Sequence, residues 1–155
     1  MRQINPDHVQ RLVQTINAAP YFQLLSMRIR EMGLGYSVVE IDISEKHLNP
    51  FGGVHGGLFS SIIDSAASWA LFYGIEDETA GLTSVDLNLS YLSPGIRGKV
   101  IAEGREIKLG RTLGYAECKV TDVNEKLLAF GTVTVMVLPG KAPVLDPPCP
   151  EKFLK

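Results

Sequence analysis

The sequence predicts an α+β protein in which a curved antiparallel sheet wraps around one long central helix. Three observations lead there: the order of its elements, the short turns between successive strands, and a mid-chain helix that is apolar over most of its circumference. Pro6 and Asp7 open a segment, 6–18, that places Val9, Leu12, Val13 and Ile16 at helical spacing, and the pattern ends before Pro20. From Tyr21 to Ser44 the period becomes two, with Met27 and Ile29, then Val39, Ile41 and Ile43, around Gly33-Leu34-Gly35. That is a β-hairpin. His47 to Val54 is rich in Gly and Pro, and Gly56 to Tyr73 is a run of small and apolar residues carrying one charge. Four strand candidates follow, near 80–92, 97–108, 112–123 and 126–138, separated by Ser93-Pro94-Gly95, Gly110-Arg111 and Val123-Asn124. Such turns permit hairpins and leave no room for crossover helices, so the sheet is antiparallel. Residues 1–155 are expected to form a single domain: an N-terminal helix over 1–20, a core over 22–138 and a Pro-rich tail over 139–155.

Composition narrows the function. With 15 basic and 17 acidic side chains, a formal charge of −2 supplies no global field for nucleic acid or an anionic membrane. No apolar h-region opens the chain, and nothing offers the ~20 apolar residues of a membrane span. A cytoplasmic protein is expected. Cys118 and Cys149 have no paired spacing, so neither a disulfide framework nor a metal site is indicated.

The helix from Gly56 carries the chemistry. At 100° per residue, Ser60, Ser61, Asp64, Ser65 and Ser68 fall on one stripe about 140° wide, against Leu, Phe, Ile, Ala, Trp and Tyr elsewhere. A helix so apolar is buried, and a lone carboxylate on it is costly unless water, a ligand or a second subunit meets it. No Lys or Arg lies within a turn of Asp64 on either side. The helix start, His55-Gly56-Gly57, puts glycines where Ser, Thr or Asp would ordinarily cap. Bare N–H groups at the positive end of the helix dipole can hold an oxyanion; the same glycines equally permit a tight turn into the helix. Gly57 and Asp64 are seven residues apart, about 10 Å along the axis. If both are catalytic they must act from two chains, which predicts a two-fold dimer with composite sites.

The ordered set Asn49-Pro50, His55-Gly56-Gly57, Asp64-Ser65, Ser84-Val85-Asp86-Leu87-Asn88 and Tyr91-Leu92-Ser93-Pro94 resembles the hotdog-fold acyl-CoA thioesterases of the phenylacetate-pathway type. The likeness spans residues 22–138. It implies a hotdog core, a homodimer that often pairs into a tetramer, and hydrolysis of acyl-CoA with no metal and no cofactor beyond the coenzyme A of the substrate. By position it implies that Asn49 and the Gly57 N–H hold the thioester carbonyl and that His55 shapes the loop. Asp64 becomes nucleophile or general base, Ser84 orients the attacking water, and Gly56, Ser65 and Thr83 lie along the substrate. Each has a plainer alternative: Asn49 before Pro50 can simply form a turn, and Ser84 a cross-strand hydroxyl. His8 and His47 have no partner at useful spacing and are expected at the surface.

The phosphate end of the ligand needs cations. Residues 97–111 hold Arg97, Lys99, Arg105, Lys108 and Arg111 against Glu103 and Glu106, a local surplus of three. Arg111 and Lys108 are the candidates, Arg111 resembling the family's arginine near the nucleotide; a solvated strand face accounts equally well for Arg97, Lys99 and Arg105. Phe59, Trp69, Phe72 and Tyr73 could line an apolar tunnel or form plain core. Rival functions are a hotdog hydratase or dehydratase, whose proline-flanked His is absent, and a non-catalytic acyl-CoA-binding module, which could dispense with the carboxylate. The G-x-S-x-G elbow of serine hydrolases and the Gly-Lys-Ser/Thr of a P-loop are also missing.

Overall fold

The computed structural model describes residues 2–94 and 97–155. Helix α1 (Pro6–Asn17) begins at an Asn5 cap, whose side chain accepts from the Asp7 N–H. Strands β1 (Met27–Gly33) and β2 (Tyr36–Asp42) form the expected hairpin, with Gly35 at φ 76° in its turn. Helix α3 (Gly56–Phe72) follows, then β3 (Gly81–Tyr91), β4 (Lys99–Leu109), β5 (Leu113–Asp122) and β6 (Leu127–Leu138). All five strand pairings are antiparallel, in the order β1-β2-β4-β5-β6-β3. The Gly110-Arg111 and Val123-Asn124 turns lie where expected; of Ser93-Pro94-Gly95, the glycine falls outside the described residues.

One element departs from expectation. Residues 20–25 form a short helix, α2 (Pro20–Leu25), because Pro20 stands at its first turn, where a missing N–H costs nothing. The proline that ends α1 starts α2.

Helix α3 is the core. Leu58, Phe59, Ile62, Ile63, Ala66, Ala67, Ala70 and Leu71 are buried against the concave face of the sheet, which supplies Val39, Ile41, Val100, Ala102, Val133 and Val135. Contact is closest at β4. A Cβ built on Gly104 would stand 2.1 Å from the Ala66 carbonyl oxygen, and Ser37 Oγ donates to that same oxygen at 2.6 Å. Only glycine lets the strand pass there.

The two sheet edges differ. At β1, Asn17 closes the edge, its side chain accepting from Ile29 N–H at 2.7 Å and donating to the Ile29 carbonyl at 3.1 Å. At β3 most residues are exposed, including Val85, Leu87 and Tyr91. The tail after Leu138 forms no regular element. It crosses the far end of α3 and returns to the N-terminus, where Ile4 bridges Phe153 and Asn5 N–H donates to the Lys152 carbonyl.

His8 and His47, expected at the surface, are both buried. His47 Nδ1 accepts from Ser44 N–H and its Nε2–H donates to the Leu25 carbonyl, which ties the loop before α3 to the end of α2. His8 Nδ1 lies 2.8 Å from Tyr73 Oη. Burial raises the Tyr73 hydroxyl well above its ordinary value, so it keeps its proton and shares a hydrogen bond with the imidazole. Burial and then the Lys152 ammonium lower His8 below 6.5, with Glu78 in partial opposition.

Gly104→Ala should lower unfolding free energy by about 1–3 kcal/mol, the range for overpacking, as a shift of urea midpoint with unchanged slope. A midpoint equal to wild type would show that β4 can move away from α3 at no cost. His8 gives a pH effect whose sign is fixed. A depressed folded-state value means the unfolded chain binds more protons, so the contribution is present above pH 6.5 and is lost as pH falls through the folded-state value. The melting temperature should therefore drop on acidification from pH 7 to 5.5, and His8→Phe should flatten that drop while lowering the melting temperature at pH 8, because Tyr73 loses its hydrogen-bond partner.

Candidate active site

The helix stripe and strand β3 form the site. Ser60, Ser61, Asp64, Ser65 and Ser68 are all half-buried, on the side of α3 that the sheet leaves open. Ser84 Oγ donates to Asp64 Oδ1 at 2.6 Å, and Ser68 Oγ lies 3.2 Å from Ser84 Oγ. Ser84 gives its one proton to the carboxylate, so Ser68 donates to Ser84. The partner of Asp64 therefore comes from β3, 20 residues away, and not from its own helix.

A β-bulge sets this contact. On β3, Ser84 faces Val135 of β6, but Asp86 already faces Thr134, so Val85 is the extra residue. The slip puts Leu82, Ser84, Leu87 and Leu89 opposite Val137, Val135, Val133 and Gly131, all buried on the helix side. Strict alternation would have turned Asp86 inward in place of Leu87.

The loop before α3 is built around Asn49. Its Oδ1 accepts from Phe51 N–H at 2.9 Å and Gly53 N–H at 3.2 Å, which leaves the amide NH2 as the end able to donate outward. His55 caps the helix: its Nδ1 accepts from Gly57 N–H at 2.8 Å. The N–H expected to be bare is thus held by its own neighbouring imidazole, and His55 does the work that Ser or Asp does at other helix starts. Gly56 packs closely under Tyr91, since an added Cβ would lie 3.0 Å from Tyr91 Oη, which itself donates to the Gly56 carbonyl at 3.3 Å.

The two halves open onto different cavities. His55 and Gly57 line one of about 260 Å³ together with Tyr21, Lys46 and Ser61. Asp64, Ser65 and Ser84 line another of about 330 Å³, with Ser68, Trp69, Phe72 and Leu82. Of the four aromatics, Trp69 and Phe72 reach this second cavity, whereas Phe59 and Tyr73 are core. Thr83 is exposed on β3 opposite Met136.

The cationic segment is corrected by its surroundings. Lys99 pairs with Glu40 at 3.1 Å and Asp42 at 3.5 Å, and Arg105 with Glu103 at 3.7 Å, so the surplus of three charges along the chain is not a patch in space. Glu40 is buried, which pushes its carboxyl up, but Lys99 and Arg28 more than offset this and hold it below its ordinary value. Arg97, Lys108 and Arg111 have no ion pair among the described residues. Arg111 lines a third cavity, of about 820 Å³, together with Arg2 and the carboxylates of Glu76, Asp77 and Glu106.

Sequence reasoning assigned no role to Tyr91 or Ser68, although both were in view, one in the Tyr91-Leu92-Ser93-Pro94 motif and one in the serine stripe. What singles them out is contact across the chain, with Gly56 and Ser84 respectively.

With this geometry the chain falls in the class of hotdog proteins, six antiparallel strands around one long helix with a carboxylate on its open face. Residues 51–129 match the family described as the thioesterase superfamily. The 1,4-dihydroxy-2-naphthoyl-CoA hydrolase of Listeria monocytogenes is 30% identical over 115 residues, 74% of this chain and 93% of that protein. Acyl-coenzyme A thioesterase 13 of Mus musculus is 33% identical over 99 residues, 63% and 69% of the two chains. Among solved structures, zebrafish thioesterase superfamily member 2 superposes with a TM-score of 0.72 at 28% identity, covering 83% of this chain and 94% of that one. A thioesterase from Haemophilus influenzae shares the fold with a TM-score of 0.81 at 22% identity, covering 92% and 98%. The chain belongs to the thioesterase superfamily and is by class a thioester hydrolase.

Proposed function

We propose that the chain hydrolyses acyl-CoA to a carboxylic acid and free CoA, at sites that two copies of the chain build together. The observation that carries this reading is the Asp64–Ser84 pair: a carboxylate on a buried helix, facing open space, oriented by a hydroxyl from the next strand. Relatives named for acyl-CoA hydrolysis support the choice of thioester.

In one chain the carboxylate and the helix start cannot meet. Helix α3 is unbroken from Gly56 to Phe72, so Gly57 and Asp64 stand about 10 Å apart along it. A second copy set antiparallel against the open β3 edge brings the start of its α3 toward Asp64 of the first. Two such dimers can pair further. The Asn49 NH2 and Gly57 N–H of one copy then polarise the thioester carbonyl while Asp64 of the other either takes a proton from an attacking water or attacks the carbonyl itself. Ser84 fixes the carboxylate. The tetrahedral oxyanion collapses, the C–S bond breaks, and CoA leaves as a thiolate that is reprotonated. Where Asp64 is the nucleophile, water then hydrolyses the mixed anhydride it forms, releasing the acid and restoring the carboxylate. Oxyanion binding at Gly57 requires the His55 ring to release or share that N–H, which gives His55 its part in shaping the loop. Gly56, Ser65 and Thr83 border the substrate, and Lys108 and Arg111, without an ion pair among the described residues, are available for its phosphates.

Asp64→Asn preserves size and the bond from Ser84 while removing the basic lone pair. Turnover of acyl-CoA should fall by ~10²-fold or more, the effect of losing a general base, with the melting temperature at or above that of wild type. A folded variant that turns over within a few-fold of wild type would make Asp64 structural. Sharing is tested by mixing Asp64→Asn subunits with Gly57→Pro subunits, whose helix start is blocked: each heterodimer should regain one working site. Verified heterodimers without activity would count against a shared site.

A further inference from the structure

The cavity beside Asp64 runs along α3 as far as Phe72, and its wall is partly made by the C-terminal tail. Asp64, Ser68 and Phe72 lie at i, i+4 and i+8 on one face of α3, so a group reacting at Asp64 meets Phe72 about 12 Å further along the helix. Phe72 and Pro143 line this cavity and also a second one, of about 370 Å³, that lies beneath the tail. They are the partition between the two spaces. We propose that Phe72 and Pro143 terminate the acyl cavity, so that the chain selects short-chain or single-ring acyl groups and rejects long-chain ones. This rests on the acyl-CoA reading above.

Neither side of the partition is free to swing aside. The Phe72 ring is held edge-on by Trp69 and Tyr73, at 5.4 and 5.2 Å between centroids, and stacked by His8 at 6.1 Å. The Lys152 ammonium sits 4.2 Å above it and donates to the Phe72 and Ile75 carbonyls at 2.7 and 2.8 Å, closing the end of α3. Pro143 follows Ala142, whose N–H donates to the Thr79 carbonyl at 2.7 Å. Just before it, the Lys141 carbonyl oxygen lies 2.3 Å from where a Gly81 Cβ would be, so the tail lies directly on the start of β3. Chemistry reinforces sterics. The cavity beyond the partition is bordered by His8, Glu78 and Lys152, and an alkyl chain reaching them would strip water from ionisable groups without replacing their hydrogen bonds.

The test is kcat/KM over straight-chain acyl-CoAs from butanoyl to palmitoyl, with benzoyl- and phenylacetyl-CoA, for wild type, Phe72→Ala and Pro143→Gly. Wild type should favour the short and single-ring substrates over palmitoyl-CoA by at least about tenfold, the scale of discrimination by an apolar pocket. Both variants should raise the palmitoyl to butanoyl ratio by about tenfold or more, as removal of the partition joins the two cavities. Phe72→Ala empties a packed site and can fail to fold; Pro143 is exposed on the tail, so its variant decides the matter alone. Wild-type preference for palmitoyl-CoA, or a ratio that Pro143→Gly leaves unmoved, overturns the partition while leaving the hydrolase intact. Failure of wild type to cleave any of these thioesters overturns the acyl-CoA reading beneath it.

Discussion

The close crossing of α3 over the middle of the sheet is the constraint on which everything else depends. Ala66, Ala67 and Ala70 give the helix a thin face, and Gly104, Gly114 and Gly131 give the sheet matching gaps, where an added Cβ would meet Ala66, Leu71 or Ile63. Burial on this face fixes the rotation of the helix about its axis. That rotation in turn aims the serine and aspartate stripe away from the sheet centre and toward β3. The position of Asp64 is thus a consequence of where small residues lie on the opposite side of the same helix.

Strand β3 must satisfy two demands that conflict under simple alternation. Its inner face has to supply apolar cover along β6 and also one hydroxyl at Asp64. The bulge at Val85 resolves this by spending one residue between Ser84 and the inward Leu87. Asp86 is thereby kept off the helix side, where a second carboxylate near Asp64 would oppose ionisation of the first. A local irregularity of backbone therefore leaves Asp64 with Ser84 as its oriented side-chain partner among the described residues.

Much of this was legible in the sequence. Period-two stretches such as Val39 and Ile41 and the turn at Gly33-Leu34-Gly35 located the hairpin, though its first strand starts at Met27 and not at Tyr21, and the apolar run from Gly56 located the central helix to within one residue. What escaped were properties decided by groups distant in the chain. His8 looked unpartnered because Tyr73 is 65 residues away, and His47 because it binds a carbonyl 22 residues back. Lys99 counted toward a cationic patch until Glu40, 59 residues earlier, took it up. Helix α2 was missed for a different reason, since a proline is both a stop and a start. At the site, spacing alone placed Asp64 and Gly57 on one helix, and motif resemblance supplied Asn49, His55 and Ser84. The hydrogen bond of His55 to Gly57 required coordinates, because it depends on a side-chain rotamer.

Two features of the single chain have no internal remedy. One is the outer edge of β3, which no other strand pairs among the described residues and along which Val85, Leu87 and Tyr91 are exposed, while Asn17 covers the opposite edge at Ile29. Open edges of this kind invite pairing with another strand. The other is a carboxylate and a helix start that the proposed reaction would bring together, separated by two turns of a rigid helix. Pairing β3 against β3 of a second copy answers both, because an antiparallel arrangement reverses the direction of the second α3 and carries its start toward the first Asp64. The rise of an α-helix, about 1.5 Å per residue, and the spacing of seven residues then set how far the two copies must be offset. On this reading the dimer is part of the catalytic geometry, and the edge that looks like a liability in the isolated chain is the surface that completes it.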